Sequence, residues 1–277
     1  MSDTPQHTLW NGPAGQAWVQ AQPLLDGMFA PFAARLCDAL PAGAAQAVLD
    51  VGCGTGAVSL AMAARLGPGG HCLGVDIAAA MIDSARQRAR DSGLNVDFIV
   101  ADAQRYTFAA ASIDRIVSRF GVMFFDDPVR AFTGLRHATR SDGVLHALAW
   151  RSPADNPFMT TAERAAAPLL ALPARAPEAP GQFAFADRTR VAGILADAGW
   201  RDIQIERIDV DCQIPAAALP TYLALLGPVG AALRGSGIDP ALRAQVLSTL
   251  EAAFAPFVDG QRVCFSAACW ELLARAP

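Results

Sequence analysis

The chain has 277 residues, 53% hydrophobic and 17% charged, with a formal net charge of −4. Such a length fits one large domain or two small ones, and the apolar excess argues for a filled core rather than disorder. The mildly acidic balance offers no electrostatic footprint for nucleic acid, no long apolar run reads as a membrane span, and Met1–Gln6 lacks the layout of a signal peptide, so a cytoplasmic protein is expected.

The six cysteines form no C-x-x-C pair and suggest no zinc site or other metal. All 22 basic residues are arginine. Without lysine, Schiff-base chemistry, pyridoxal phosphate attachment and a Walker-type phosphate loop are excluded.

Residues 1–46 precede the main fold and read as an N-terminal helical flap. Trp10 and Trp18 stand in a polar segment and need something to cover. Leu24–Leu40 is a helical pattern with a break at Pro31. Pro41–Ala45 is a linker, and the core begins at Ala47.

Val48–Val51 reads as a buried strand, Gly52, Gly54 and Gly56 as a turn, and Ala57–Leu66 as a helix. Glycines between a strand and a helix let the backbone approach a ligand, and the helix N-terminus behind them offers unpaired N–H groups. Two ligand classes compete for the turn. Gly52, Gly54 and Ala57 fit the dinucleotide pattern G-x-G-x-x-G/A. The turn also fits G-x-G-x-G, with Asp50 two residues ahead of its first glycine. A carboxylate there suits a ligand bearing a cation and repels a pyrophosphate. With that acid, Asp50-Val51-Gly52-Cys53-Gly54-Thr55-Gly56 resembles the first motif of the class I S-adenosylmethionine-dependent methyltransferases. The resemblance implies that the loop wraps the methionine and ribose portions of the cofactor.

The next strands are His71–Val75, ending in Asp76, and Val96–Val100, ending in Ala101-Asp102, with a helix over Ala78–Asp91 between them. Alternation of this kind implies a parallel sheet, whose ligands sit beyond the carboxyl ends of its strands. Asp50, Asp76 and Asp102 therefore face one crevice. Under the resemblance, Asp76 accepts both ribose hydroxyls, and Asp102 accepts the adenine amino group beside the Ala103 amide. Asp50 helps place the cofactor's ammonium, and Ile77 and Met81 lie along the nucleoside.

Ile113–Val117 is a fourth strand running into Ser118-Arg119-Phe120-Gly121-Val122-Met123-Phe124-Phe125-Asp126-Asp127-Pro128. This block is similar to the ubiquinone- and menaquinone-biosynthesis-type subgroup. The likeness puts Arg119 and Phe120 against the cofactor and Met123–Phe125 by the substrate, one of Phe124 and Phe125 being buried under the next helix. Asp127 caps that helix, Pro128 opens it, and Val129, Phe132 and Leu135 form its inner stripe. Val144–Trp150 is a fifth strand in which His146 reads as a hydrogen-bonded core residue.

Residues 151–186 read as a lid insertion, with Phe158 on a helical segment and Pro173, Pro177, Pro180 and Gly181 in a loop before Phe183 and Phe185. Residues 187–277 complete the core. Asp187 caps a helix, Ile203–Val210 is a sixth strand, residues 215–259 form a second helical insertion, and Val263–Trp270 is a seventh strand, antiparallel in this family. The expected fold is α/β, a Rossmann-like seven-stranded sheet with six parallel strands, flanked by helices.

The chemistry implied is in-line methyl transfer from S-adenosylmethionine to O, N or C of an apolar, aromatic or secondary-metabolite-like small molecule, by a monomer or homodimer. Trp10, Met123, Phe125, Trp150, Phe158 and Phe185 are the expected substrate wall. His7, His137, His146 and Asp126 are available bases, but none has spacing that selects it. Two alternatives stand beside this reading: an NAD(P)-dependent oxidoreductase, and a protein that binds the cofactor on this fold without transferring methyl.

Overall fold

The computed structural model describes residues 4–176, 178–235 and 237–277, so Pro177 of the proline loop and Met1–Asp3 lie outside the described residues. Its strands are β1 (Ala47–Val51), β2 (His71–Asp76), β3 (Val96–Val100), β4 (Ile113–Arg119), β5 (Thr139–Trp150), β6 (Arg201–Pro215), β7 (Val258–Asp259) and β8 (Arg262–Arg275). They form one sheet in the order β3-β2-β1-β4-β5-β8-β6, with the two-residue β7 folded back on β8. The pairs among β1–β5 are parallel, and β8 runs antiparallel to both β5 and β6. β6 therefore points the same way as β1–β5, which gives six parallel strands and one antiparallel strand slotted between two of them.

Val48, Leu49 and Val51 are almost fully buried because β1 is central and helices cover both faces. Strand order reverses at β1, where β2 lies on one side and β4 on the other. The crevice at the carboxyl ends of these strands is where ligands bind in open sheets of this kind.

The helices are α1 (Pro5–Trp10), α2 (Pro13–Gln20), α3 (Gln22–Met28), α4 (Ala30–Asp38), α5 (Ala57–Arg65), α6 (Ala79–Ser92), α7 (Pro128–Ala138), α8 (Pro157–Ala166), α9 (Arg188–Asp197), α10 (Leu219–Leu225), α11 (Gly227–Arg234) and α12 (Pro240–Phe254). The break expected at Pro31 falls at Phe29 instead. Pro31 lies in the first turn of α4, where its missing N–H removes no intrahelical bond. Asp127 and Asp187 cap α7 and α9 as their positions suggest, accepting from Arg130 N and from Thr189 N and Arg190 N.

β5, β6 and β8 all run longer than their apolar patterns indicate. β6 and β8 continue as a two-stranded ribbon out to Pro215↔Arg262, where only one face is covered and alternation replaces a continuous apolar run. The two segments expected as separate insertions meet on this ribbon. The Phe158 ring of α8 stacks on Phe265 of β8 at 3.8 Å and meets Phe254 and Phe257 edge-on at 5.2 Å. Tyr222 of α10 closes the cluster at 5.6 Å. Among the described residues no single helix is long and apolar enough to cross a membrane; α10 and α11 have that composition only as a pair bent by 70°.

α4 is tied to the sheet by charge. Arg35 donates twice to Glu271 of β8, at 2.8 and 2.6 Å, and the Glu271 carboxylate also meets His146 Nε2 at 2.8 Å. His146 is 2% exposed, and burial is the largest influence, lowering its pKa. It is a core residue that pairs with the Glu271 carboxylate through Nε2, the pull of the carboxylate opposing the effect of burial.

Phe158→Ala should cost about 3–5 kcal/mol, the usual penalty for emptying an aromatic core site. Chemical denaturation followed by far-ultraviolet circular dichroism measures it.

Candidate cofactor-binding site

The three glycines after β1 all have left-handed backbones, with φ of 68° at Gly52, 55° at Gly54 and 83° at Gly56. Each needs the missing side chain for a different reason. A Cβ on Gly52 would lie 2.6 Å from Gly121 Cα, and one on Gly56 would lie 2.8 Å from the Phe98 ring. A Cβ on Gly54 would meet only Met81 Sδ, at 3.8 Å, so Gly54 is the position where the backbone lies open to a ligand. Gly52 N and Cys53 N donate to Val75 O at 2.9 and 3.1 Å, and Arg88 Nη1 donates to Thr55 O at 2.6 Å.

Asp76 joins this loop to the start of α6. Its Oδ2 accepts from Gly54 N at 2.8 Å and its Oδ1 from Ala78 N at 2.9 Å. Each oxygen keeps a lone pair for a hydroxyl. Burial pushes the Asp76 carboxyl above its ordinary pKa, and the backbone amides pull it back. Asp50 is 1% exposed and accepts from Ser59 Oγ of α5 at 2.6 Å. Burial pushes its carboxyl up to about 6, against the opposing pull of Ser59 and Arg119. Its carboxylate is turned into the protein, toward Ser59.

Asp102 is held by a residue the sequence reading missed. Gln104 N and Gln104 Nε2 donate to the Asp102 oxygens at 3.1 and 3.2 Å, while Gln104 Oε1 accepts from Asp126 N and Asp127 N at 3.0 and 3.2 Å. One amide thus fixes the acid after β3 and the loop before α7. The only hint in the sequence is an acid followed two residues later by a side chain able to close a local turn.

β4 ends in strain. Phe120 has φ of 63°, uncommon for an aromatic residue. It is held there by stacking on Trp150 at 4.5 Å and by edge contacts to Phe29 and Phe32 at 5.5 and 4.9 Å. Arg119 emerges beside it. Its guanidinium lies over the Phe29 ring and Nη1 reaches Phe29 O at 3.4 Å. Among the described residues no carboxylate comes within ion-pair distance of it. Asp26 is engaged by Arg88 at 2.7 Å, and Asp50 by Ser59. Arg119, Asp26 and Arg88 line a groove of about 860 Å³ between α4 and α5, whose other walls include alanines of both helices together with Cys37, Arg65 and Leu66.

The expected substrate wall is dispersed. Trp150 and Met123 are in the interior, Met123 Sδ accepting from Trp150 N at 3.3 Å. Phe125 and Phe185 both pack on Phe132 of α7, at 5.7 and 6.2 Å. Phe158 belongs to the cap cluster. These side chains face protein because aromatic surface near a core is buried by its nearest apolar neighbours. Trp10 stays half-buried, edge-on to Phe124 at 5.1 Å and to Trp18 at 5.9 Å. Of the two neighbouring phenylalanines, Phe125 turns under α7 and Phe124 meets the flap.

A doubly wound sheet with a left-handed glycine turn, a buried acid and an acid at each of the next two strand ends defines a nucleoside-binding site for a ligand that also carries positive charge. The methyltransferase domain family matches residues 48–143. Aklanonic acid methyltransferase DauC of a Streptomyces species is 36% identical over 121 residues, covering 42% of this chain and 55% of that one. Nocamycin O-methyltransferase of Saccharothrix syringae is 30% identical over 204 residues, covering 68% of this chain and 71% of that one. The YcgJ protein of Bacillus subtilis shares the fold with a TM-score of 0.57 at 18% identity, over 88% of this chain and 97% of that one. The chain belongs to the S-adenosylmethionine-dependent methyltransferases, and S-adenosylmethionine is the cofactor of that family. The dinucleotide alternative is thereby set aside.

Cofactor affinity should fall as pH drops from about 7 through about 6, where protonation of Asp50 removes the charge that attracts the cation. In Asp50→Asn the fall should flatten, leaving only the share of Asp76. Calorimetric titration of S-adenosylmethionine across pH 5–8 measures both.

Proposed function

We propose that the chain transfers a methyl group from S-adenosylmethionine to an oxygen, nitrogen or carbon of an apolar, planar small molecule. The observation that carries this reading is the pairing of Asp76 with Gly54, which sets a two-oxygen acceptor beside the one glycine of the turn left open to a ligand. The named relatives act, by their names, on aklanonic acid and nocamycin, and they support a substrate of that character. When bound, the cofactor supplies a methyl on a sulfonium, a group that needs alignment with the acceptor more than it needs activation.

The residues divide the cofactor between them. Asp76 holds the ribose hydroxyls. Asp102 and the Ala103 amide take the adenine edge, with Ile77 and Met81 along its face. Asp50 and Arg119 bear opposite charges and match the zwitterionic methionine tail, Arg119 supplying a guanidinium without an ion-pair partner for its carboxylate. The flap brings Trp10 edge-on to Phe124 and would shield the transferring methyl from water. His146 is committed to Glu271 in the interior and is not a base for this reaction.

Incubation with S-adenosylmethionine and a panel of phenolic, carboxylic and polyketide-like acceptors should give acceptor-dependent S-adenosylhomocysteine, read by mass spectrometry. Product formed only with peptides or nucleic acid would overturn the substrate class. Arg119→Met should weaken S-adenosylmethionine binding by roughly 10–100-fold, the range for a hydrogen bond to a charged group. It should leave 5′-methylthioadenosine, which lacks the amino-acid end, unaffected.

A further inference from the structure

Among the described residues, Asn11 hydrogen-bonds the flap to the turn after Asp76. α6 begins at Ala79 with Ala78 at its N-cap position, and Ala78 has no oxygen with which to cap the helix. Asp76 takes the Ala78 amide. The Ala79 amide donates instead to Asn11 Oδ1 at 2.9 Å, from 68 residues earlier in the chain. The same carboxamide donates through Nδ2 to Ile77 O at 2.9 Å and to His7 O at 3.1 Å. One side chain thus pairs both an N–H and a C=O of the turn that follows Asp76. Only a carboxamide carries a donor and an acceptor side by side in this way.

The corner that presents Asn11 is tightly built. α1 ends at Trp10 and α2 starts at Pro13. A Cβ on Gly12 would lie 2.9 Å from Thr8 O, and one on Gly15 would fall on Trp10 O. The glycines at 12 and 15 allow the two helices to meet at this angle. The corner sends Trp10 onto Phe124 and Asn11 onto Ile77 and Ala79. Phe124 lies in the loop whose far end is held by Gln104, so the contacts run from the acid after β2 to the acid after β3 by way of the flap.

We propose that Asn11 is a positioning residue for the cofactor: it fixes the Ile77–Ala79 turn and makes release of the nucleoside and opening of the flap one event. The proposal rests on the cofactor reading given above. It requires that loss of the carboxamide speed dissociation of the nucleoside while leaving the sheet and its core untouched.

The test compares wild type, Asn11→Ala and Asn11→Asp in stopped-flow dissociation of S-adenosylhomocysteine, with thermal melts of the ligand-free proteins. Aspartate still accepts from Ala79 N and suits a helix N-terminus, but it cannot donate to Ile77 O. If Asn11 only capped α6, Asn11→Asp would keep both melting temperature and dissociation rate. The proposal requires that Asn11→Asp keep the melting temperature and release the ligand faster. Asn11→Ala should release it about tenfold faster, the size expected for two neutral hydrogen bonds. Wild-type dissociation rates in both variants would overturn the proposal. Absence of binding by the wild type would overturn the cofactor reading and this proposal with it.

Discussion

The two central strands leave the sheet so close together that neither turn has room for a β-carbon. Gly52 and Gly121 cross: a Cβ on Gly52 would lie 2.6 Å from Gly121 Cα, and one on Gly121 would lie 2.5 Å from Val51 O. Ser118 staples the crossing, donating to Val51 O at 2.8 Å and accepting from Gly121 N at 3.2 Å. The rest of the site inherits its geometry from this contact. It turns the β1 loop so that Gly54 N meets Asp76 Oδ2. It also forces β4 to end at Phe120 in a left-handed conformation, which brings Arg119 out beside α3 and α4. The strain at Phe120 persists because Trp150, Phe29 and Phe32 enclose its ring.

Electrostatics then divides the crevice. Two acids, Asp50 and Asp76, are held where burial opposes their charge, and an arginine with no carboxylate of its own sits nearby. Charges buried in this way are costly unless something answers them. A zwitterionic ligand with a further positive centre answers all three. At the end of β5 the fold answers buried polarity with its own groups. Asn156 pairs through Nδ2 and Oδ1 with Ala268 O and N, both at 2.9 Å, and takes the place of a strand partner where β5 has ended. Asn11 makes the same two-atom pairing at the exposed turn after Asp76, with Ile77 O and Ala79 N.

Local signals in the sequence were enough to locate the sheet edge. Asp50, Asp76 and Asp102 follow short apolar runs, and Asp127 and Asp187 precede helices, so each declares its place through its immediate neighbours. Residues whose partners lie far along the chain did not. Phe158 stands in a segment that looks like a lid, yet its partner Phe265 is on the last strand. Phe185 looks like a pocket wall until α7 brings Phe132 against it. Trp10 drew attention to the first corner, but the working side chain there is its neighbour Asn11, whose partners at Ile77 and Ala79 leave no periodic trace. The lengths of β6 and β8 were hidden for a related reason, since a ribbon covered on one face has no continuous apolar run.

The central claim is that Asp76 and the open glycine beside it form the seat of S-adenosylmethionine. Isothermal titration of S-adenosylmethionine and S-adenosylhomocysteine into wild type and Asp76→Ala tests it most directly. The account predicts binding of both ligands by the wild type, weakened about 10–100-fold in the variant, as expected for lost hydrogen bonds to a charged group. Equal affinity in the two proteins, or no binding by the wild type, would contradict it.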